Sequence, residues 1–441
     1  MSCQNQSDDH PGSSRDRDPP QVLVPEDMKW LMYHGLLSTD ASNCGPGFIR
    51  GDRQALRDNF VCSSYSNRRV FRERDTPETI DIPRYLYSCA TLEYLGLSAK
   101  AAAYCAARYA LAVADGRCDG EDATTFIAFA KDYLRKRRER LEQSAQEDKC
   151  RVMRKIGCSK ELIKAIMTSD PASMAIRERK SALYWVLDTV DLRWTALKSL
   201  MEKSRFRASI IEKGGWVPLN GECSLSTARV PARKVPRKLA DHVQLWKGVD
   251  EDSVEDLLFP EGMCSNGTIF RSHTLLTDSP NDFNGAISGY YFVTDKSVAV
   301  AHANWIQQRS AASSGVIISL QLPEILINKL DKAELGHSEE DDTWAKFVWS
   351  CRSQADGFKL LPHAEQLTSD HLLKKQLIVE HMSGCSSREI LEMESYRDIS
   401  KEHLFCMPHS GMVGMQYFFS EWPTASHSGF EEKLVICEKT S

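Results

Sequence analysis

Apolar residues recur at helical spacing through the first half of the chain. Between about residues 22 and 211 they repeat every three or four positions, which places them on one face of an α-helix. Residues 101–114 are dense in alanine, the residue with the highest helix propensity. The pattern therefore predicts a mainly helical region, with helices near residues 26–31, 85–114, 122–141, 160–167 and 177–200.

The second half has a different pattern, in which short apolar runs alternate with turn residues. Residues 315–322 form the clearest run, because they are rich in β-branched side chains and are ended by Pro323. The same criteria predict strands near 243–246, 290–294, 376–382 and 414–419, and helices near 254–258, 297–309 and 344–351. Strands and helices mixed in this way indicate an α+β fold.

Two polar segments divide the chain. Residues 1–20 have no apolar periodicity, and we predict a disordered tail there. Residues 229–238 contain five basic residues and two prolines, which favours an extended linker. The predicted organisation is a tail over 1–20, a helical region over 21–212, a linker over 213–239 and an α+β domain over 240–441.

Composition narrows the classes of protein that fit. The 441 residues carry a formal net charge of -5, which gives no overall attraction for nucleic acid or anionic membranes. No apolar run approaches the ~18 residues that cross a bilayer, and the polar N-terminus lacks the apolar stretch of a signal peptide. The 14 cysteines lack the close pairs that zinc and redox sites use. We therefore expect an intracellular protein, cytoplasmic or nuclear, without a metal or membrane site and with nucleic acid disfavoured as a partner.

The most informative segment is a predicted corner between a strand and a helix. Residues 289–295 read Gly-Tyr-Tyr-Phe-Val-Thr-Asp, and the helical pattern that follows has small residues at Ala299 and Ala303. Thr294 or Asp295 is placed to cap this helix, because a side-chain oxygen there can accept free amide protons of the first turn. On these residues alone, the segment is a core strand packed against a helix with a small-residue face.

The same segment resembles the "G-x-Y-F-x-T, then A-x-x-x-A" block of proteins with the ADP-ribosyltransferase fold. Residues 245–248, Leu-Trp-Lys-Gly, resemble the first strand of that fold, and residues 376–379, Gln-Leu-Ile-Val, resemble the strand that begins with glutamate in most catalytic members. A set of fungal proteins with a helical N-terminal region carries similar blocks, which here include residues 282–284 and 347–352. The resemblance covers roughly residues 240–425.

The resemblance implies a site that binds NAD. In this family's chemistry nicotinamide leaves through an oxocarbenium-like state at the ribose, which a nearby carboxylate stabilises. By resemblance, Lys247 and Gly248 face the ribose or adenosine, and Thr294 is a further cofactor contact. Tyr291 stacks on the nicotinamide ring, and Gln376 stands at the catalytic carboxylate position. We therefore expect Lys247, Tyr291 and Gln376 to line one cleft, on one face of adjacent strands.

Two of these positions depart from the catalytic pattern. Lysine at position 247 adds positive charge beside a cation-like transition state, although it suits a pyrophosphate. Glutamine at position 376 can bind a hydroxyl but cannot neutralise developing charge. Glu380 shares the face of Gln376 but lies roughly 13 Å further along an extended strand, too far for the same role. Each residue also has a structural explanation, as a strand-edge lysine, a core tyrosine and a polar residue at a strand start.

The residues leave more than one function open. A retained activity makes the protein an NAD-dependent ADP-ribosyltransferase that modifies a macromolecule, or an NAD glycohydrolase, with NAD as the substrate. A lost carboxylate makes the same domain catalytically degenerate. The alternative is a non-enzymatic interaction or regulatory protein, in which the domain is a scaffold and the helical region docks a protein partner.

Overall fold

A computed structural model gives the fold of this chain. It describes residues 20–33, 36–39, 45–52, 56, 79–117, 123–141, 148–168, 176–177, 181–212, 237–257, 275–277, 288–310, 313–337, 341–353, 371–385, 389–390, 393–406, 413–423 and 433–437. The predicted tail up to residue 19, the predicted linker up to residue 236 and residues 282–284 lie outside the described residues.

Helices dominate the first half, as the apolar spacing predicts. They are α1 Pro25–Tyr33, α2 Cys89–Tyr94, α3 Ala99–Ala114, α4 Ala123–Glu139, α5 Lys149–Ile156, α6 Lys160–Ile166 and α7 Ala182–Glu212. Several begin at a residue whose side chain accepts an amide proton of the first turn, which satisfies a donor that the helix itself leaves open. These capping residues are Ser88, Ser98, Asp148 and Ser159.

The helix predicted over residues 85–114 is divided into α2 and α3. Gly96 has a φ of 108°, a left-handed conformation that glycine adopts without strain, and the first helix ends there. Ser98 then caps α3. The helical spacing over residues 85–114 thus belongs to two helices, separated by a turn at Gly96 and Ser98.

The first half also contains a three-stranded antiparallel sheet that the apolar spacing does not predict. Its strands are β1 Leu37–Ser38, β2 Phe48–Asp52 and β3 Thr79–Pro83, in that order. Arg50 and Asp81 lie directly opposite each other on β2 and β3 and form an ion pair of 2.6 Å between Nε and Oδ1. Strands of two and five residues are too short for an alternating pattern to stand out in the sequence.

The second half is α+β, and this confirms the general fold class. The strands are β4 His242–Asp250, β5 Tyr290–Val293, β6 Gly315–Pro323, β7 Lys332–Leu335, β8 Leu377–His381, β9 Met415–Phe419 and β10 Lys433–Cys437. The helices are α8 Glu251–Leu257, α9 Lys296–Arg309, α10 Glu324–Lys329 and α11 Thr343–Ser353. The strands and helices predicted for this half lie within a few residues of these bounds.

The strands of this half form one seven-stranded sheet in the order β10-β6-β4-β5-β9-β8-β7. Strands β4 and β6 pair along their whole length, from His242 opposite Pro323 to Asp250 opposite Gly315. By contrast, β4 and β5 pair at a single position, Trp246 opposite Val293. The sheet is therefore almost divided at the β4–β5 junction.

Helix α9 packs directly on the backbone of β4 and β6. A methyl group built at Gly248 would lie 2.3 Å from the carbonyl oxygen of Ala299, and one built at Gly315 would lie 1.9 Å from that of Ala303. Asp295 caps α9, since its carboxylate accepts the amide proton of Ser297 at 2.8 Å. The predicted corner is thus a close helix–sheet contact that requires glycine on the strands.

Helices α7 and α9 join the two halves. Trp305 of α9 belongs to the same buried apolar cluster as the core of the helical region. The guanidinium carbon of Arg309 lies 4.9 Å from the ring centroids of both Trp185 and Trp305. One of its terminal nitrogens donates to a carboxylate oxygen of Asp188 and to the hydroxyl of Thr189. The α7–α9 contact therefore holds a buried charge against two indole rings.

Candidate functional site

A cavity of about 460 Å³ lies where α7 faces the β4–β5 junction. Its volume falls in the range of roughly 300–1,000 Å³ that is usual for small-molecule sites. Its walls come mainly from α7, β4, β5 and α9. The residues that line it are Ile176, Tyr184, Trp185, Asp188, Asp191, Leu192, Thr195, Trp246, Lys247, Gly248, Val249, Asp250, Ser253, Leu276, Thr277, Tyr291, Phe292, Val293, Ala299, His302, Trp305, Ile306, Arg309, Met382 and Gln416.

Lys247 bridges the gap between β4 and β5. Its Nζ donates to the Thr277 hydroxyl at 2.8 Å and to the Tyr291 carbonyl oxygen at 3.2 Å. The side chain therefore supplies a link between the strands beyond the single backbone pair. Both acceptors are neutral, and burial lowers the pKa of Lys247 to about 7.

Asp250 lies at the end of β4 and holds the start of α8. Its carboxylate accepts from the Ser253 amide at 2.8 Å and from the Ser253 hydroxyl at 2.6 Å. Burial, reinforced by the nearby charge of Asp252, raises the pKa of Asp250 to about 6. The cavity thus contains a lysine and an aspartate whose charged forms are both disfavoured by burial.

The half-buried Lys247 is expected to make stability depend on pH. Between pH about 7 and the ordinary lysine pKa of 10.5, the unfolded chain holds a proton that the folded chain has lost. Stability therefore rises with pH across this window, and the penalty of burial is fully present below it. Lys247→Met should raise the free energy of unfolding near pH 6 and remove this rise. Urea unfolding of the wild type and the variant at several pH values measures the free energy of unfolding of each. If the difference between the two free energies is the same at every pH, the lowered pKa of Lys247 is contradicted.

Three of the predicted site residues line the cavity together: Lys247, Gly248 and Tyr291. Since side chains alternate along a strand, the single β4–β5 pair places Lys247 on the face of Phe292. Gly248 and Tyr291 lie on the opposite face, with Trp246. The prediction of one shared face is therefore wrong. Residues from both faces line the cavity, which lies where β4 and β5 share a single backbone pair.

Thr294 is placed away from this cavity lining. It is exposed directly after β5, and its amide donates to the Met415 carbonyl oxygen at 3.2 Å. The capping role that the sequence left open between two residues belongs to Asp295. The structure thus gives Thr294 a backbone contact at the end of the strand and does not place it with Lys247 and Tyr291.

Gln376 is likewise absent from the described cavity lining. It precedes β8, and β9 lies between β8 and β5. The Gln376 side-chain oxygen accepts the amide proton of Asp331 at 2.9 Å, and the Gln376 amide donates to the Asp331 carbonyl oxygen at 2.9 Å. The predicted cleft of Lys247, Tyr291 and Gln376 is therefore wrong at Gln376, which satisfies the backbone where β7 and β8 begin.

Gln416 is the glutamine that lines the cavity. It lies on β9, opposite Val293 of β5, and is 4% exposed. Glu380 lies opposite Gln416 on β8 and is fully buried. An amide therefore stands at the cavity, and a carboxylate stands one strand behind it. The sequence predicts the strand that carries Gln416 but contains no local signal that this strand inserts beside β5.

Two buried donors on α9 lack an acceptor among the described residues. They are Nε of Arg309, which is 3% exposed, and Nε1 of Trp305, which is 1% exposed. Both residues line the cavity and lie one helical turn apart. Because buried donors in folded proteins are nearly always paired, these two nitrogens are exceptions in this wall of the cavity.

Sequence reasoning missed the contribution of the helical region to the cavity. On α7, Val186, Val190 and Trp194 are buried in the core, which the apolar spacing can indicate. Asp188 and Asp191 line the cavity from between these positions, and nothing in their spacing marks them. Asp250 carries a weak signal, because an aspartate followed by acidic residues is typical of the capping position and first turn of a helix.

Comparisons of the chain with protein-family models, with curated proteins and with solved structures gave no match. In the part of the chain that the structure describes, no helix has the length and apolar character required to cross a membrane. Within the same residues, His, Cys, Asp and Glu side chains form no group of three that could hold a metal ion. The cavity and its lining are therefore the basis for a functional assignment.

Proposed function

We propose that the second half of the chain is an ADP-ribosyltransferase-like domain and that the cavity at the β4–β5 junction binds NAD. The observation that supports this most is the convergence of Lys247, Gly248 and Tyr291 on one cavity of about 460 Å³. These residues come from two sequence blocks of the resemblance, 43 residues apart between Gly248 and Tyr291. Their meeting at a ligand-sized cavity is expected of a binding site and is not required of two core strands.

Aromatic side chains at the junction suit the flat rings of NAD. The Tyr291 ring packs against Phe418 with 4.9 Å between ring centroids, which restricts its orientation. Trp246 and Phe292 line the same cavity. A ring fixed in this way offers a stacking surface with little loss of side-chain entropy on binding. Tyr291 is therefore assigned to the nicotinamide ring.

The α9 wall suits the pyrophosphate. Arg309 Nε and Trp305 Nε1 have no acceptor in the part of the chain that the structure describes, and phosphate oxygens are strong acceptors for a guanidinium. The partial positive charge of Lys247 adds to this field at neutral pH. A dinucleotide with rings at the strands and phosphates toward α9 would satisfy both parts of the cavity.

Because a glutamine stands at the cavity, we expect little or no transfer of ADP-ribose to a macromolecule and an equally low rate of NAD hydrolysis. Gln416 can bind a ribose hydroxyl, but an amide does not stabilise an oxocarbenium-like state as a carboxylate does. Each of the three lining carboxylates already has a partner. Asp188 accepts from Arg309, Asp191 pairs with Lys131 at 2.7 Å, and Asp250 accepts from Ser253. A cavity with an amide at this position and with every lining carboxylate already paired favours the second candidate function, a non-enzymatic interaction protein with a degenerate domain.

Calorimetry with NAD tests the binding. Wild-type protein is expected to bind NAD, and Tyr291→Ala is expected to weaken binding by about 1–3 kcal/mol, the usual effect of removing one stacking ring. Tyr291→Phe is the matched control, since it keeps the ring and should bind nearly as wild type does. Circular dichroism of each variant verifies that the fold is retained.

Two outcomes would count against the proposal. Absence of NAD binding by folded wild-type protein would leave the domain as a scaffold and favour the interaction function. Equal binding by Tyr291→Ala and wild type would place NAD elsewhere on the molecule and remove the junction cavity as its site.

A further inference from the structure

Lys247 has the surroundings of an amine nucleophile. Its Nζ donates to two neutral oxygens, the Thr277 hydroxyl and the Tyr291 carbonyl, and no carboxylate among the described residues forms an ion pair with it. A neutral amine has two hydrogens and one lone pair, whereas the ammonium has three hydrogens and none. Two acceptors therefore match the neutral form, and its lone pair is not used by these contacts.

The charged and titratable groups around the cavity already have other partners. Asp188 accepts from Arg309, Asp191 pairs with Lys131, and Asp250 accepts from Ser253. The remaining titratable lining groups are Tyr184, Tyr291 and His302. Lys247 lies beside the ring of Phe292, with 5.8 Å from Nζ to the ring centroid. An amine held among aromatic groups and neutral oxygens is the arrangement that activates catalytic and Schiff-base lysines.

We propose that Lys247 is a reactive amine that condenses with small aromatic aldehydes entering this cavity. The Nζ lone pair attacks the carbonyl carbon, a C–N bond forms, and the carbonyl electron pair moves to oxygen, which takes up one of the two nitrogen-bound hydrogens as a proton. The carbinolamine then loses its hydroxyl group and the remaining nitrogen-bound hydrogen as water, which leaves an imine between the aldehyde carbon and Nζ. Aromatic aldehydes fit because the Phe292 ring lies beside the amine and Tyr291 and Trp246 line the same cavity.

The electrostatics agree with this assignment. Burial lowers the pKa of Lys247 to about 7, so roughly half of the molecules carry the neutral, nucleophilic amine at neutral pH. An ordinary lysine, with a pKa near 10.4, is neutral in fewer than about one molecule in a thousand at that pH. The difference predicts selective reaction at Lys247 even in a chain that has many exposed lysines.

Reductive trapping tests the proposal directly. The folded full-length protein is treated with benzaldehyde and cyanoborohydride, which reduces the imine to a stable amine, and the modified peptides are quantified by mass spectrometry. Lys247 is expected to react at least about tenfold faster than Lys296 at pH 7, with a rate midpoint near pH 7. The proposal would be overturned by a labelling rate at Lys247 no greater than that at Lys296. It would also be overturned if the labelling rate of Lys247 had its pH midpoint near the pKa of an ordinary lysine.

A pair of variants at Thr277 separates reactivity from accessibility. Thr277→Asp places a carboxylate next to Nζ, which should raise the lysine pKa by about 1–3 units and lower labelling at pH 7 about tenfold or more. Thr277→Asn is nearly the same size as the aspartate but neutral, and should be labelled about tenfold or more faster than Thr277→Asp at pH 7. Equal labelling of the two variants would overturn the proposal. The experiment contains no NAD, so its result is independent of the proposed NAD site.

Discussion

Moving a carboxylate from β8 to the cavity wall is expected to raise the rate of NAD cleavage about 10²–10³-fold, the usual effect of one well-placed electrostatic group. The variant is Gln416→Glu combined with Glu380→Gln, which exchanges the amide and the carboxylate across the β8–β9 pair. In wild type the amide lines the cavity and the carboxylate stands one strand behind it. Release of nicotinamide, followed by chromatography, measures the rate.

The exchange is preferable to Gln416→Glu alone. Two glutamates directly opposite each other on neighbouring strands repel, and the repulsion would keep one of them protonated. The double variant keeps one carboxylate and one amide in the pair, so the formal charge is unchanged. Any gain in rate then reports the position of the carboxylate.

Gln376→Glu is the matched control, because it makes the same chemical change at the residue that the sequence blocks indicate. Gln376 binds the backbone of Asp331 and is not part of the described cavity lining, so no gain in rate is expected. A gain at Gln376 and none in the exchange variant would show that NAD reacts at a different place. No gain in either variant, with NAD binding intact, would support a domain that binds NAD without cleaving it.

Strand and helix positions in the second half could be predicted because their signals are local. The β6 run is buried on both faces, so nearly every residue is apolar or β-branched and the run is easily identified. The α9 start carries its own capping aspartate. The first half is less predictable where short strands are involved, since β1 has only two residues and gives no periodic signal.

The composition of the site was only partly predictable, because it depends on which strands become neighbours. Lys247 and Tyr291 lie on β4 and β5, which are adjacent in the sheet, so their blocks identify one cavity. The prediction that Gln376 lines the same cleft is wrong because β9, which comes later in the chain, inserts between β5 and β8. The α7 wall could not be predicted either, since Asp188 and Asp191 reach the cavity only through packing between the two halves.

Alanine at Gly248 or Gly315 is expected to lower the free energy of unfolding by at least about 1–3 kcal/mol, the usual range for overpacking a buried contact. The added carbon would lie 2.3 Å or 1.9 Å from a carbonyl oxygen of α9. Backbone atoms cannot rotate away as a flexible side chain can. The helix is also held on its other side, where Trp305 and Arg309 pack against Trp185 of α7. Urea unfolding of each variant measures the loss.

Gly336→Ala is the matched control, because a methyl group built at Gly336 meets no atom within 4 Å, and its stability should stay close to that of wild type. The comparison also separates two roles for Gly248, which the resemblance assigns to the cofactor and the structure assigns to helix packing. Loss of NAD binding by Gly248→Ala with unchanged stability would favour a cofactor role alone. Loss of stability in both Gly248→Ala and Gly315→Ala would establish packing as the constraint, since α9 forms a wall of the same cavity and its displacement would disturb binding as a consequence.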